Sequence, residues 1–176
     1  RIRCTEMGRI MYRVLLVDDE QIERMALAKR IEKYYGDKVN IYQAVNGREA
    51  VDMCSEQKND IIIMDISMPE MNGVMAARYI RQMDDEGSII FLSAYDDFSY
   101  ARNAIKVKAL DYLLKPCDIS DLLAVMDMAL QKLDKNKTLT EVSALADGRG
   151  SGYVNMDMAD KGNLNRVNMP DKNSDI

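Results

Sequence analysis

"IIIMDISMPEMNG", residues 61–73, sets three isoleucines and a methionine in a row, halts at Asp65, and turns through Met68-Pro69 toward Asn72-Gly73. A strand with one wet face alternates apolar and polar residues, so an unbroken apolar run predicts a strand covered on both faces. The flanking sequence supplies the cover. "YRVLLVDD" (12–19) reads as a first strand and "EQIERMALAKRIEKYY" as a helix, with Ile22, Met25, Ala26, Lys29 and Ile31 at roughly helical spacing and Gly36 placed to end it. "KVNIYQAV" is a second strand, and "NGREAVDMCSEQ" a helix capped by its Asn, with Ala50, Val51 and Cys54 inward. After "DIIIMD" come a helix in "GVMAARYIRQM", a strand in "SIIFLS", a helix in "DFSYARNAIKV", a strand in "ALDYLLK" and a helix in "DISDLLAVMDMALQKL".

Five strand–helix units predict an α/β fold: a doubly wound, five-stranded parallel sheet with helices on both faces. In sheets of this size the common strand order is 2-1-3-4-5, the flavodoxin-like arrangement, and ligands lie beyond the C-terminal ends of strands one and three, where the order reverses. Asp18 and Asp19 end strand one and Asp65 ends strand three. Neighbouring strands ~4.8 Å apart therefore bring three carboxylates to one rim.

Composition narrows the chemistry. With 176 residues, 47% of them apolar, the chain suits one domain with some extra sequence. A net charge of −5 disfavours a broad nucleic-acid face. The three cysteines, Cys4, Cys54 and Cys117, have spacing that fits neither a disulfide framework nor a zinc site. Cys54 is expected to be buried, and Met53, Met64, Met68, Met71, Met75 and Met83 to serve as packing atoms. No apolar run is long enough for a membrane span or forms a signal-peptide core, so a cytoplasmic location is expected. The chain has no histidine, which excludes histidine-based nucleophile activation and histidine metal ligands.

Carboxylates, hydroxyls and lysine remain. Converging acids repel one another, and a divalent cation relieves them; magnesium prefers carboxylate oxygen together with water and phosphoryl oxygen. A carboxylate at a strand end can itself accept a phosphoryl group. Lys115 at the end of strand five and Ser93 at the end of strand four supply positive charge and a hydroxyl donor for it.

These residues carry a resemblance. From about Tyr12 to Leu133 the chain resembles the receiver domain of bacterial two-component response regulators, through Asp18-Asp19, "MDISMPEMNG" with Asp65 and Pro69, Ser93-Ala94, and "DYLLKP". The resemblance implies a phosphoacceptor at Asp65 and a magnesium site, open also to manganese, formed by Asp19, Asp18, Asp65 and the backbone carbonyl of Ser67. It implies that Lys115 pairs with the phosphoryl group. Ser93 turns toward that group, beside the small Ala94, while Tyr112 rotates inward and the fourth helix, fifth strand and fifth helix carry the signal. It further implies a cis peptide before Pro116 that helps aim Lys115 inward, tuning of hydrolysis by Ser67 and Tyr95, and a sensor histidine kinase as phosphodonor. No enzymatic turnover on other substrates is implied.

More narrowly, "FLSAYDDFSYARNAIKVKALDYLLKP" is similar to receivers that precede an AraC-type DNA-binding domain in Gram-positive regulators. Two departures matter. Lys108 stands where such sequences commonly carry Gly; if the position requires positive φ, a lysine there brings local strain or a shifted helix end. Residues 136–176, rich in Asn, Asp, Gly and Ser, contain no recognisable helix-turn-helix and are expected to form a disordered polar tail, with "TLTEVSALA" able to extend the last helix. Residues 1–11 read as an N-terminal extension ahead of a domain at 12–135, with Met11 a candidate start.

Bland roles stand beside these. Asp18 suits a helix cap, Ser93 a small strand-end residue, and Tyr112 a core aromatic. Functionally, a phosphorylation-independent or stand-alone interaction module and an aspartyl-phosphate phosphatase remain alternatives, though such phosphatases place the nucleophile in Asp-x-Asp after strand one. A flavin carrier is disfavoured by the acidic loop after strand one. The expected output is control of transcription through a DNA-binding domain absent from this sequence, or protein contacts such as homodimerisation on the switch surface.

Overall fold

A computed structural model describes residues 11–83, 86–94 and 98–147. Five parallel strands, β1 (Tyr12–Val17), β2 (Val39–Ala44), β3 (Ile61–Asp65), β4 (Ser88–Ser93) and β5 (Asp111–Leu114), form one sheet in the order β2-β1-β3-β4-β5. The helices are α1 (Gln21–Tyr35), α2 (Gly47–Glu56), α3 (Gly73–Met83), α4 (Phe98–Lys106) and α5 (Ile119–Asp147). The fold class and strand order are those expected.

Side chains two apart along a strand share a face, and this splits the core in two. Leu15, Val17, Ile62, Met64, Ile89 and Phe91 pack with Ala50 and Cys54 of α2, Val74, Ala77 and Ile80 of α3, and Ala104 of α4. Val14, Leu16, Ile61, Ile63, Ile90 and Leu92 face the other way, onto Ala28, Ile31 and Tyr35 of α1 and Leu122, Met126 and Ala129 of α5. The apolar run that opens β3 is thus shared between two cores.

Helix starts and ends follow local chemistry. At α2, the Asn46 side chain accepts from the Glu49 N–H at 2.8 Å and the Glu49 carboxylate accepts from the Val45 N–H at 2.7 Å, a reciprocal cap. Gly36, at φ 53°, ends α1 and its N–H donates to the Glu32 carbonyl. Lys108 takes φ 51°, so of the two consequences considered for it the strained backbone is the one found. The α3–α4 side is clamped by Arg81, whose guanidinium donates to the carbonyls of Val107 (2.7 Å), Gly87 (2.6 Å) and Lys108 (3.0 Å).

Three details differ from expectation. The inward face of α1 is Arg24, Ala28, Ile31 and Tyr35, while Ile22 is 84% exposed and Met25 half-exposed. Turning the helix this way packs Ile31 and Tyr35 onto Val39 and carries the Arg24 guanidinium inward to the Asp18 carbonyl and, at 3.1 Å, the Gln43 side chain. Met64, Met68 and Met71 are core atoms, but Met75 and Met83 point to solvent from α3. Finally, α5 runs to Asp147, past the domain end expected at residue 135, with "TLTEVSALA" extending the last helix as its sequence allowed. The Thr138 hydroxyl donates to the Asp134 carbonyl one turn back, at 3.0 Å. On the domain side, Tyr12 donates to Asp134 and Tyr35 to Asp127 at 2.8 Å, which fasten α5 to β1 and α1. A first compact unit ends at Leu139; of the second, from Thr140, only helical residues 140–147 are described. The remainder of the expected tail and residues 1–10 of the expected extension lie outside the described residues.

Candidate functional site

The alternation that divides the core also sorts the polar residues at the strand ends. Asp65 shares parity with Ile61 and Ile63, Asp18 with Val14 and Leu16, and Lys115 with Leu113, so all three continue the face that meets α1 and α5. Ser93 and Tyr112 have the parity of the opposite face, on the side of α4. The rim therefore carries two groups of residues back to back.

On the first side, the Lys115 ammonium lies 2.8 Å from Asp18 Oδ2, 3.1 Å from Asp65 Oδ1 and 2.8 Å from Glu23 Oε2. Asp18 and Asp65 are buried, at 6% and 5% exposure, and the Glu23 side chain is half-exposed. Each buried acid is also gripped by backbone. The Glu20 N–H donates to Asp18 Oδ1 and the Ser67 N–H to Asp65 Oδ2, both at 2.8 Å. The Lys115–Pro116 peptide is cis.

The loop after β3 is closed tightly beneath the acids. The Gly73 N–H donates to the Ile66 carbonyl at 3.0 Å, and Asn72 caps α3 by accepting from the Met75 N–H at 2.9 Å. A Cβ on Gly73 would stand 2.2 Å from the Asp65 carbonyl oxygen, so glycine is what lets α3 start against the end of β3. Gly47 has a similar constraint at α2, 2.4 Å from the Met71 carbonyl.

Burial raises the Asp65 carboxyl above the usual aspartate range; the charge and hydrogen bond of Lys115 oppose this, the charge of Asp18 adds to it, and the Ser67 N–H opposes it. For Lys115, burial favours the neutral amine. The hydrogen bonds to Asp18 and Glu23 and the charge of Asp65 outweigh it and hold the ammonium well above the ordinary lysine range. The site is a buried acid pair locked to an obligate cation.

Asp18, Asp65 and Lys115 meet as expected. Asp19 is exposed, and among the described residues no three acids, cysteines or histidines converge as metal ligands; the Lys115 ammonium stands between the acids instead. The third acid on Lys115 is Glu23, which the sequence does not single out because it looks like an ordinary acidic residue in a first helical turn. Its only signal is its position, one turn past the acidic pair. Ser93 is fully buried and its carbonyl accepts from the Lys115 N–H at 2.7 Å. Ala94 and Ser67 are exposed and Tyr112 is partly buried against the α4-side core. Tyr95 lies outside the described residues. Cys54 is buried, and burial pushes the Cys117 thiol above its ordinary range.

Residues 14–127 match the response regulator receiver domain, and the chain belongs to that family. Among its relatives are the chemotaxis protein CheY of Thermotoga maritima, 41% identical over 123 residues, which are 70% of this chain and 98% of that protein. The transcriptional regulatory protein HptR of Staphylococcus aureus is 37% identical over 125 residues, 70% of this chain and 48% of HptR. The chain thus spans about half the length of the curated regulators it matches. Of solved structures, the REC domain of AraT, a response regulator from Geobacillus stearothermophilus, is 32% identical, with a TM-score of 0.65 over 73% of this chain and 99% of that one. No helix among the described residues is long and apolar enough to cross a membrane.

Proposed function

We propose that this receiver domain takes a phosphoryl group from a sensor histidine kinase onto Asp65, with a divalent cation, and that the change alters the α4–β5–α5 surface. The observation that carries this reading is the Lys115 ammonium seated between the buried carboxylates of Asp18 and Asp65 at adjacent strand ends. An Asp65 carboxylate oxygen attacks phosphorus as the bond from phosphorus to the donor breaks; with acetyl phosphate the leaving group is acetate. Lys115 then has a phosphoryl oxygen within its reach, and the Ser67 N–H holds the other Asp65 oxygen in place.

The carboxylate and carbonyl oxygens of this rim suit magnesium or manganese, and Asp18, Asp19, Asp65 and the Ser67 carbonyl are the residues that would hold the ion. When bound, the ion supplies charge neutralisation between the acids and the incoming phosphoryl group. Ser93 and Tyr112, on the α4 side of the rim, are the residues to register the new group, with Ala94 leaving space and Ser67 and Tyr95 setting its lifetime. Ile105 on α4, Leu114 on β5 and Met128 on α5 are exposed, apolar surface suited to homodimerisation on that face. In a longer, cytoplasmic regulator of AraC type this surface would govern transcription through a DNA-binding domain. The chemistry is self-phosphorylation and its reversal, without turnover of other substrates.

The test is intact mass after incubation with acetyl phosphate, with and without magnesium, for the protein and for Asp65→Asn. One added phosphoryl group that requires both magnesium and Asp65 is the expected result. No addition to the folded wild-type protein would overturn the reading in favour of a phosphorylation-independent module, and steady release of phosphate in favour of a phosphatase.

A further inference from the structure

Lys115 has three N–H donors, and in this structure three carboxylates lie at hydrogen-bond distance. Two belong to the buried rim and are held by backbone N–H groups. The third, Glu23, is of a different kind: it stands on the first turn of α1 and is half-exposed. With about half its surface in water, such a side chain leaves its partner more readily than the buried Asp18 and Asp65 do. It also lines, with Asp18, Arg30 and Lys115, a groove of about 250 Å³ beside the ammonium.

We propose that Glu23 is a positioning residue for the phosphorylation site, competing with an incoming phosphoryl group for the third hydrogen bond of Lys115. The inference rests on the phosphoacceptor reading above and adds to it a residue that sets the strength of the site for its anion. The Lys115 N–H is bonded to the Ser93 carbonyl, which fixes the lysine backbone at the rim, so loss of Glu23 leaves Lys115 there with a donor free for the phosphoryl oxygen. Removing its charge also lowers the repulsion against a dianionic donor. The two effects act in the same direction.

The experiment compares wild type, Glu23→Gln and Glu20→Gln in saturating magnesium. Glu20 is an exposed acid just ahead of α1 whose carboxylate forms no ion pair with Lys115, so its substitution controls for loss of charge alone. Calorimetry with beryllofluoride, a mimic of the phosphoryl group, measures affinity; intact mass over a range of acetyl phosphate concentrations gives the half-saturating donor concentration and the limiting rate. Glu23→Gln is expected to bind beryllofluoride about three- to fivefold more tightly. Its half-saturating donor concentration falls to the same degree while the limiting rate stays within about twofold, and Glu20→Gln shifts each less. Equal affinity in Glu23→Gln and wild type overturns the proposal, as does a slower limiting rate, which would make Glu23 a support for Lys115 rather than a rival. An equal shift in Glu20→Gln also overturns it, leaving only general charge. A wild-type protein that takes up neither beryllofluoride nor a phosphoryl group instead refutes the phosphoacceptor reading beneath it.

Discussion

The Lys115 ammonium lies 3.1 Å from Asp65 Oδ1, and it is the cation that allows Asp65 and Asp18 to be buried at one rim. Removing one partner of such a set leaves uncompensated charge. Lys115→Ala is therefore expected to lower stability by about 2–3 kcal/mol in urea titrations with chelator present. Phosphoryl acceptance from acetyl phosphate falls about 100- to 1,000-fold, followed by intact mass. Unchanged stability would mean that the two acids place no burden on the fold.

Two glycines separate close approach from backbone freedom. A Cβ on Gly73 meets the backbone of Asp65, which cannot give way as a flexible side chain would, whereas a Cβ on Gly36 meets nothing within 4 Å but must accept φ 53°. Gly73→Ala should cost about 3 kcal/mol or more and Gly36→Ala about 1 kcal/mol, read from thermal denaturation. Phosphoryl acceptance suffers in the first alone, because the clash displaces the residue that carries the nucleophile.

The turn after α4 offers a stabilising change and a destabilising one. Lys108 holds φ 51°, a conformation glycine adopts without penalty. Lys108→Gly is expected to raise stability by about 0.5–1 kcal/mol. Arg81→Ala removes a charged donor from three carbonyls, two of them at this same turn, and is expected to cost about 2–3 kcal/mol. A denaturant midpoint that falls for Lys108→Gly contradicts the first expectation, and one that stays or rises for Arg81→Ala contradicts the second.

Alkaline pH should loosen the attachment of α5. Burial first, then the hydrogen bond to Asp127, hold the Tyr35 hydroxyl protonated well above the usual tyrosine range. The folded state thus keeps a proton that the unfolded chain gives up near pH 10, so the contribution is whole below pH 10 and shrinks as pH rises toward the folded value. Wild type is expected to exceed Tyr35→Phe by about 1–2 kcal/mol at pH 8. That gap should narrow steadily in urea titrations above pH 10; a constant gap would show that the hydroxyl does not carry it.

Local order was legible in the chain itself. Apolar runs marked buried strands, Asn46 and Gly36 marked helix ends, and the glycine-like position of Lys108 was visible before its φ was known, because each depends on neighbours a few residues away. From the alternation of strands and helices the sheet order followed, and with it the rim where Asp18, Asp65 and Lys115 meet. Tertiary structure alone decided the rest. Whether Ile22 or Arg24 turns inward depends on how α1 rests on Tyr12 and Val39, and the same placement of α1 brings Glu23 to the ammonium. A helix with charges on every side has no apolar stripe to fix which face turns inward; packing against distant strands fixes it. The same holds for the seating of α5, fastened at Asp134 and Asp127 by Tyr12 and Tyr35, residues far from it in sequence, and for the exposed faces of Met75 and Met83, which a count of methionines places in the core. Short-range chemistry specifies elements and their ends, while the contacts that assign charges to one another arise only when the sheet has brought separate strand ends together.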